Sequence, residues 1–193
     1  HPVDAFLDLV LEHGRDLRWR TTISNHRPEI LKKIAVEPGI QMGFSDAGAH
    51  LRNMAFYNSG LRLLRHVRDA ERAGQGFMTI EHAVHRMTGE LADWYGLDAG
   101  HLRVGDRADL VIIDPEALDD RLEAYAEETV DAYGGLSRMV NRNDDAVAAV
   151  LVAGRAVVRD GVPTELVGTE RTGAFLRHGR LAPATETKGG LAD

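Results

Sequence analysis

No cysteine occurs among the 193 residues. Disulfides and thiolate metal centres are therefore excluded, and a reducing cytoplasm is the expected compartment. No apolar run approaches the roughly 18 residues that a membrane-spanning helix needs. The first residues, His1-Pro2-Val3-Asp4, carry no signal-peptide pattern. They also lack a starting Met, so a fragment or processed chain is expected. Positive charge is not in excess: 23 Lys and Arg stand against 30 Asp and Glu, a net charge of -7. That excludes a nucleic-acid groove built on bulk charge. No G-x-G-x-x-G or G-x-x-x-x-G-K-[ST] follows an expected strand, so a nucleotide-binding α/β domain has no phosphate cradle. There is no internal repeat.

A hydrophobic share of 44% is enough for a packed core, in one large domain or two small ones. Phe6, Leu7, Val10 and Leu11 have helical spacing, with Gly14 as a stop. Residues 17–23 alternate and read as a strand. A short helix is expected over 28–35, with Pro28 in its first turn, and a strand over 40–44. Leu61, Leu64 and Val67 mark one face of a helix over 59–73. Thr79 is an expected N-cap for the stripe Ile80, Ala83, Val84 and Met87. Residues 1–96 thus alternate helix and strand in the manner of α/β units with parallel strands. After Gly96 the texture changes. Residues 110–113 form a short apolar strand, the acidic stretch 117–132 is expected to be helical, and 146–158 read as a β-hairpin. Asp160-Gly161 is a turn, and 181–193 a flexible tail. A boundary is placed near residue 98.

The stretch GIQMGFSDAGAH, residues 39–50, ends an apolar run on a carboxylate and continues in small residues. Parallel strands gather function at their carboxyl ends. On these residues alone, Asp46 either caps the next turn or does chemistry. The longer pattern is more specific. TGELADWYGLDAGHLRVGDRADLVIIDP, residues 88–115, contains Gly96, Gly100, Leu102, Gly105, Ala108, Asp109 and Asp114 in a characteristic order. VAAVLVAGRAVVRDG follows at 147–161. Together with GFSDAGAH and SNHRPE (residues 24–29), these segments resemble the C-terminal part of the metal-dependent amidohydrolase superfamily. Within it they look most like the N-acyl-D-amino-acid deacylase branch.

The resemblance implies an α/β fold. Residues 1–98 would be the last βα units of a TIM-type barrel, and 99–180 part of a small β-sandwich. It implies hydrolysis of amide C–N bonds in a small-molecule substrate. Asp46 would correspond to the aspartate that binds or faces the metal and shuttles the proton. A divalent metal, zinc above all, would serve the complete enzyme. Arg52 would take a substrate carboxylate in two-point fashion, unless it forms a surface ion pair. His50, Asn25 and His26 lie in the same two loops as candidates for substrate contact; for His50 and His26 an ordinary loop role stands open beside it. The superfamily's H-x-H ligand pair is absent from this chain. Those ligands are expected upstream of residue 1, so the isolated chain is expected to hold no metal and to be inactive. His82 and His85 flank the stripe of their helix rather than form a zinc motif, since they stand three apart. His13, His66 and His178 are expected on the surface, and Trp94 and Tyr95 in a core. Two barrel strands alone would expose edges, so a homo-oligomer or pairing with an upstream barrel fragment is expected. A non-catalytic assembly module is the second reading.

Overall fold

The computed structural model of the protein describes residues 1–19, 26–43, 58–124, 126–131, 134–140 and 143–179. They fall into two compact units, His1–Glu37 and Pro38–Asp193.

In the first unit, α1 spans Pro2–His13 and ends at Gly14, whose φ is 53°. Its N-terminal proline costs nothing, because the first N–H groups of a helix have no partner anyway. The apolar stripe read from the sequence is present but not covered. None of its residues is buried, and Phe6, Leu7, Val10 and Leu11 are all exposed. Phe6 meets Trp19 edge to face, with ring centroids 5.8 Å apart. α2 spans Pro28–Val36, with Ala35 buried and Lys32 Nζ 3.1 Å from Glu29 Oε1.

In the second unit three helices follow one another: α3 (Ser59–Arg72), α4 (Ile80–Met87) and α5 (Gly89–Tyr95). The expected cap on α4 is present: the His82 N–H donates to Thr79 Oγ1 at 3.1 Å. Leu64 and Val67 of α3 and Ala83 of α4 pack with Leu118, Leu122 and Ala146 into the core. Burial of such side chains is the main favourable term, each worth about 1.5–3 kcal/mol. The stripe of α4 differs from expectation at one position. Val84 is exposed, whereas Arg86, three residues after Ala83, is buried. Residues i and i+3 share a helix face, so Arg86 takes the place an apolar residue was expected to fill.

Among the described residues six strands follow: β1 (Leu110–Ile113), β2 (Ala126–Val130), β3 (Leu136–Val140), β4 (Val147–Val152), β5 (Arg155–Arg159) and β6 (Val162–Pro163). They form a four-stranded sheet of order β1-β4-β5-β6 and a separate β2-β3 hairpin. The expected β4–β5 hairpin turns at Ala153-Gly154, both at positive φ. A two-residue turn of this kind matches the twist of the flanking strands. The turn is held from β1's side, since Ala153 N–H donates to Asp109 Oδ1 at 2.7 Å and Gly154 N–H to Ala108 O at 2.8 Å. These bonds give Ala108-Asp109 of the sequence motif its structural task. The Ala153 N–H, with the Arg107 guanidinium beside it, holds the Asp109 carboxyl below its ordinary 3.8.

Two expectations are corrected here. The acidic stretch 117–132 is not a helix. It contains a 3-10 turn at Asp120–Glu123 and then strand β2, which pairs antiparallel with β3 around Gly134-Gly135. Arginines of α3 hold this stretch in its observed path. Arg68 donates to Leu118 O at 2.6 Å and to Pro115 O, and Arg65 donates to Asp119 O at 2.8 Å. Arg62 grips Glu123 with two bonds of 2.8 and 2.6 Å, and Arg72 meets Glu116 at 2.7 Å. Exposed ion pairs alone contribute little; the carbonyl bonds satisfy backbone that packs under Leu118 and Leu122. Second, 17–19 and 40–43 are not strands, and every pairing among the described strands is antiparallel. A parallel strand needs partners beside it. The Ile40 carbonyl instead accepts from Arg86 Nη2. The rest of both expected strands, residues 20–23 and 44, lies outside the described residues.

The segment after β6 returns to the helices. α5 ends at Gly96 in the left-handed conformation, φ 61°. A Cβ there would lie 2.6 Å from His178 Nδ1. His178 Nδ1 stands 2.7 Å from Tyr95 O, and Gly179 N–H donates to Gly96 O at 2.8 Å. His178 is therefore exposed as expected but engaged. His66 departs from expectation: it is half-buried against Phe77, with ring centroids 5.3 Å apart. No described helix is long and apolar enough to cross a membrane.

Candidate functional site

Of the residues singled out in the sequence, Asp46, His50, Arg52 and Asn25 lie outside the described residues, as does Ser45. His26 is described and exposed, two positions before the first residue of α2. The structure does show how the chain is held on either side of residue 46.

Before it, Pro38, Gly39 and Gln41 form one wall of a cleft of about 670 Å³. The other wall is the α4–α5 corner, with His85, Glu90, Asp93 and Trp94. Arg86 sits behind this wall and is 1% exposed. Its guanidinium reaches Glu90 Oε1, with Nη2 at 3.2 Å, as well as the Ile40 carbonyl. Burying a guanidinium is tolerated where carboxylates and carbonyls take its protons, as Glu90 and Ile40 do here. Asp93 is bound at 2.7 Å by His101 Nε2, and the His85 and His101 rings flank Gly89. A Cβ on Gly89 would approach them to 2.9 and 3.0 Å. Trp94, expected in a core, is 65% exposed and meets Tyr95 edge to face at 4.6 Å.

After residue 46, Asn58 precedes α3 and is 6% exposed. Its Nδ2 donates to Leu122 O at 2.9 Å and to Asn143 Oδ1 at 2.8 Å. Its Oδ1 is buried without a hydrogen-bond partner, a cost of about 1–3 kcal/mol that the two donated bonds must offset. Sequence reasoning passed over Asn58, Arg86 and His101. For Arg86 the signal was its position three residues after Ala83. For Asn58 it was a capping-type residue at a helix start, which caps nothing here and reaches across to Leu122 instead.

Among the described residues, no three histidine or carboxylate side chains come together to hold a metal ion. Among the described residues the most shifted carboxyl lies elsewhere. Arg121 binds Asp119 through its side chain and donates its own N–H, and this lowers the Asp119 carboxyl from 3.8 to about 2. The folded value is the lower one, so the bond contributes stability above 3.8 and loses it as pH falls towards 2. A carboxyl-carbon NMR titration is expected to put the Asp119 midpoint near 2; a midpoint at the ordinary value would mean that the Arg121 contact does not hold in solution.

Comparison with known proteins adds the family dimension. The sequence model described as "Amidohydrolase family" matches residues 22–158. Uncharacterised proteins of Mycobacterium tuberculosis and Mycobacterium bovis are each 55% identical over 193 aligned residues. The alignment covers 95% of this chain and 31% of theirs. An N-acyl-D-aspartate deacylase of Alcaligenes xylosoxydans xylosoxydans is 34% identical over 139 residues, 72% of this chain and 23% of that one. The chain thus spans about a third of the length of the first two relatives. No solved structure matches.

Proposed function

We propose, from the premise that the chain belongs to the amidohydrolase family, that it is part of an enzyme hydrolysing amide C–N bonds in N-acyl amino acids. The observation that carries this is the family match over residues 22–158, which takes in both SNHRPE from Ser24 onward and GFSDAGAH. The N-acyl-D-aspartate deacylase among the relatives supports acylated D-amino acids as the substrate class. Residues 1–98 are assigned to the last units of a barrel and 99–180 to part of a sandwich, with 181–193 as a tail.

In the proposed reaction, water oxygen adds to the amide carbonyl carbon while Asp46 takes its proton. The C–N bond then breaks, and Asp46 returns the proton to the departing nitrogen; the new carboxyl group gives water's second proton to the amine, leaving a carboxylate and an ammonium group. Arg52 holds the substrate's free carboxylate with paired N–H donors. His50, Asn25 and His26 are assigned to substrate contact. A divalent metal bound in the complete enzyme would activate the water and polarise the carbonyl, and the proton transfers are assigned to Asp46.

A second reading is an assembly module, and the uncovered apolar face of α1 favours it. It entails a homo-oligomer or a partner barrel segment, which light scattering would register. Amine release from N-acyl-D-amino acids, followed in the protein expressed from its complete coding region, decides between them. Turnover with preference for D over L substrates is the expected result. No release from either series, with or without added divalent metal, would overturn the enzymatic reading.

A further inference from the structure

The cleft between residues 38–41 and the α4–α5 corner is given no task by the reaction proposed above. At about 670 Å³ it has room for a small organic molecule. Glu90, Asp93 and Trp94 of α5 stand at i, i+3 and i+4, so one helix face brings two carboxylates and an indole into it. Among its described lining residues there is no lysine or arginine. We propose that the cleft binds a small organic cation, a primary ammonium or guanidinium group on an apolar stem. Its N–H groups donate to Glu90 Oε2 and Asp93 Oδ2, and its stem lies on Trp94.

Hydrogen bonding leaves both carboxylates half open. Arg86 Nε and Nη2 both donate to Glu90 Oε1, at 3.3 and 3.2 Å, and no described residue donates to Oε2. Asp93 Oδ1 takes His101 Nε2 at 2.7 Å, no described residue donates to Oδ2, and the side chain is 63% exposed. Arg103 Nη2 stands 3.3 Å from His101 Nδ1. A guanidinium only donates, so that nitrogen accepts and the ring's proton sits on Nε2. His101 therefore steadies Asp93 without cancelling its charge. Arg86 is 1% exposed behind the wall, and Arg103 lies across the His101 ring from Asp93. Trp94 is 65% exposed, and an indole face attracts a cation within about 6 Å of its centre. An anion would meet two negative charges, and a neutral apolar molecule would cover carboxylate oxygens without giving them a donor.

The test is calorimetric titration of the complete protein with butylguanidinium, butylammonium and 1-butanol. Saturable binding of both cations is expected, with dissociation constants on the order of 1 mM, and none of the alcohol. Asp93→Asn and Trp94→Leu should each weaken the cations about three- to tenfold. Asp120→Asn removes an exposed acid beside Arg65 and should leave them unchanged. A blocked tripeptide centred on arginine separates two sources of the cation. Tighter binding than butylguanidinium assigns the site to an arginine side chain, and equal or weaker binding to a free small molecule. If Asp93→Asn does not fold, Trp94→Leu, at a mostly exposed position, carries the comparison. No saturable heat, butanol binding as tightly as the cations, or equal weakening by Asp120→Asn would overturn the site. Binding is read without turnover, so the outcome stands whether or not the complete protein hydrolyses amides.

Discussion

Asp46→Asn is expected to lower kcat for amide hydrolysis about 1,000-fold in the complete protein, with KM nearly unchanged. A positioned acid/base group contributes roughly 100- to 10,000-fold, and asparagine keeps the shape of aspartate while losing its basicity. The substitution also separates two roles. If Asp46 only capped the turn that follows, asparagine would serve almost equally well, since both side chains accept from nearby N–H groups and tolerate turn backbone. Activity within a few-fold of the unsubstituted enzyme would therefore return Asp46 to a capping role. The pH profile gives a second readout. The acidic limb set by a carboxylate should vanish in Asp46→Asn and persist if another group is the base.

Gly100→Ala should cost about 3 kcal/mol or more, enough to remove a large part of the 5–15 kcal/mol that holds a typical domain together. Two effects add. The backbone at Gly100 has φ +78°, a region L side chains rarely adopt. A Cβ there would also stand 2.7 Å from the Thr88 carbonyl oxygen and 2.9 Å from the Ala92 Cβ. Neither can retreat easily, because Thr88 joins α4 to α5, and its Oγ1 donates back to Val84 O at 2.8 Å. Gly105, another glycine of the same motif, gives the control. Its φ is +97°, but nothing lies within 4 Å of an added Cβ. Gly105→Ala should cost only about 1 kcal/mol, from the backbone term. Urea unfolding of the two variants checks this, and equal losses would show that the close approach to Thr88 contributes nothing.

The sequence was most legible where local and tertiary demands agree. The Thr79 cap, the α3 stripe of Leu64 and Val67, strand β1 and the β4–β5 hairpin all follow from period, cap and turn residues. It misled where a distant side chain decides. Residues 117–123 are held by Arg65 and Arg68, some fifty positions upstream, which no local window contains. Residues 40–43 were expected to be a strand from their apolar content, yet pairing depends on neighbours that content does not specify. At the candidate site, motif order suggested Asp46, Arg52 and His50, because chemistry leaves distinctive residue types. The buried side chains of Asn58 and Arg86 leave no such mark. An arginine on a helix face reads as solvated until its burial is known.

The return of the chain from β6 to α5 sets an order in time. The carbonyls of Tyr95 and Gly96 find their partners in His178 and Gly179, and His178 lies 83 residues further along. A ribosome adding roughly 5–20 residues per second needs about 4–17 s to cover that distance. During those seconds the end of α5 has only water to satisfy it. The corner that carries Glu90, Asp93 and Trp94 is thus finished late in synthesis, after the β4–β5 hairpin has already emerged.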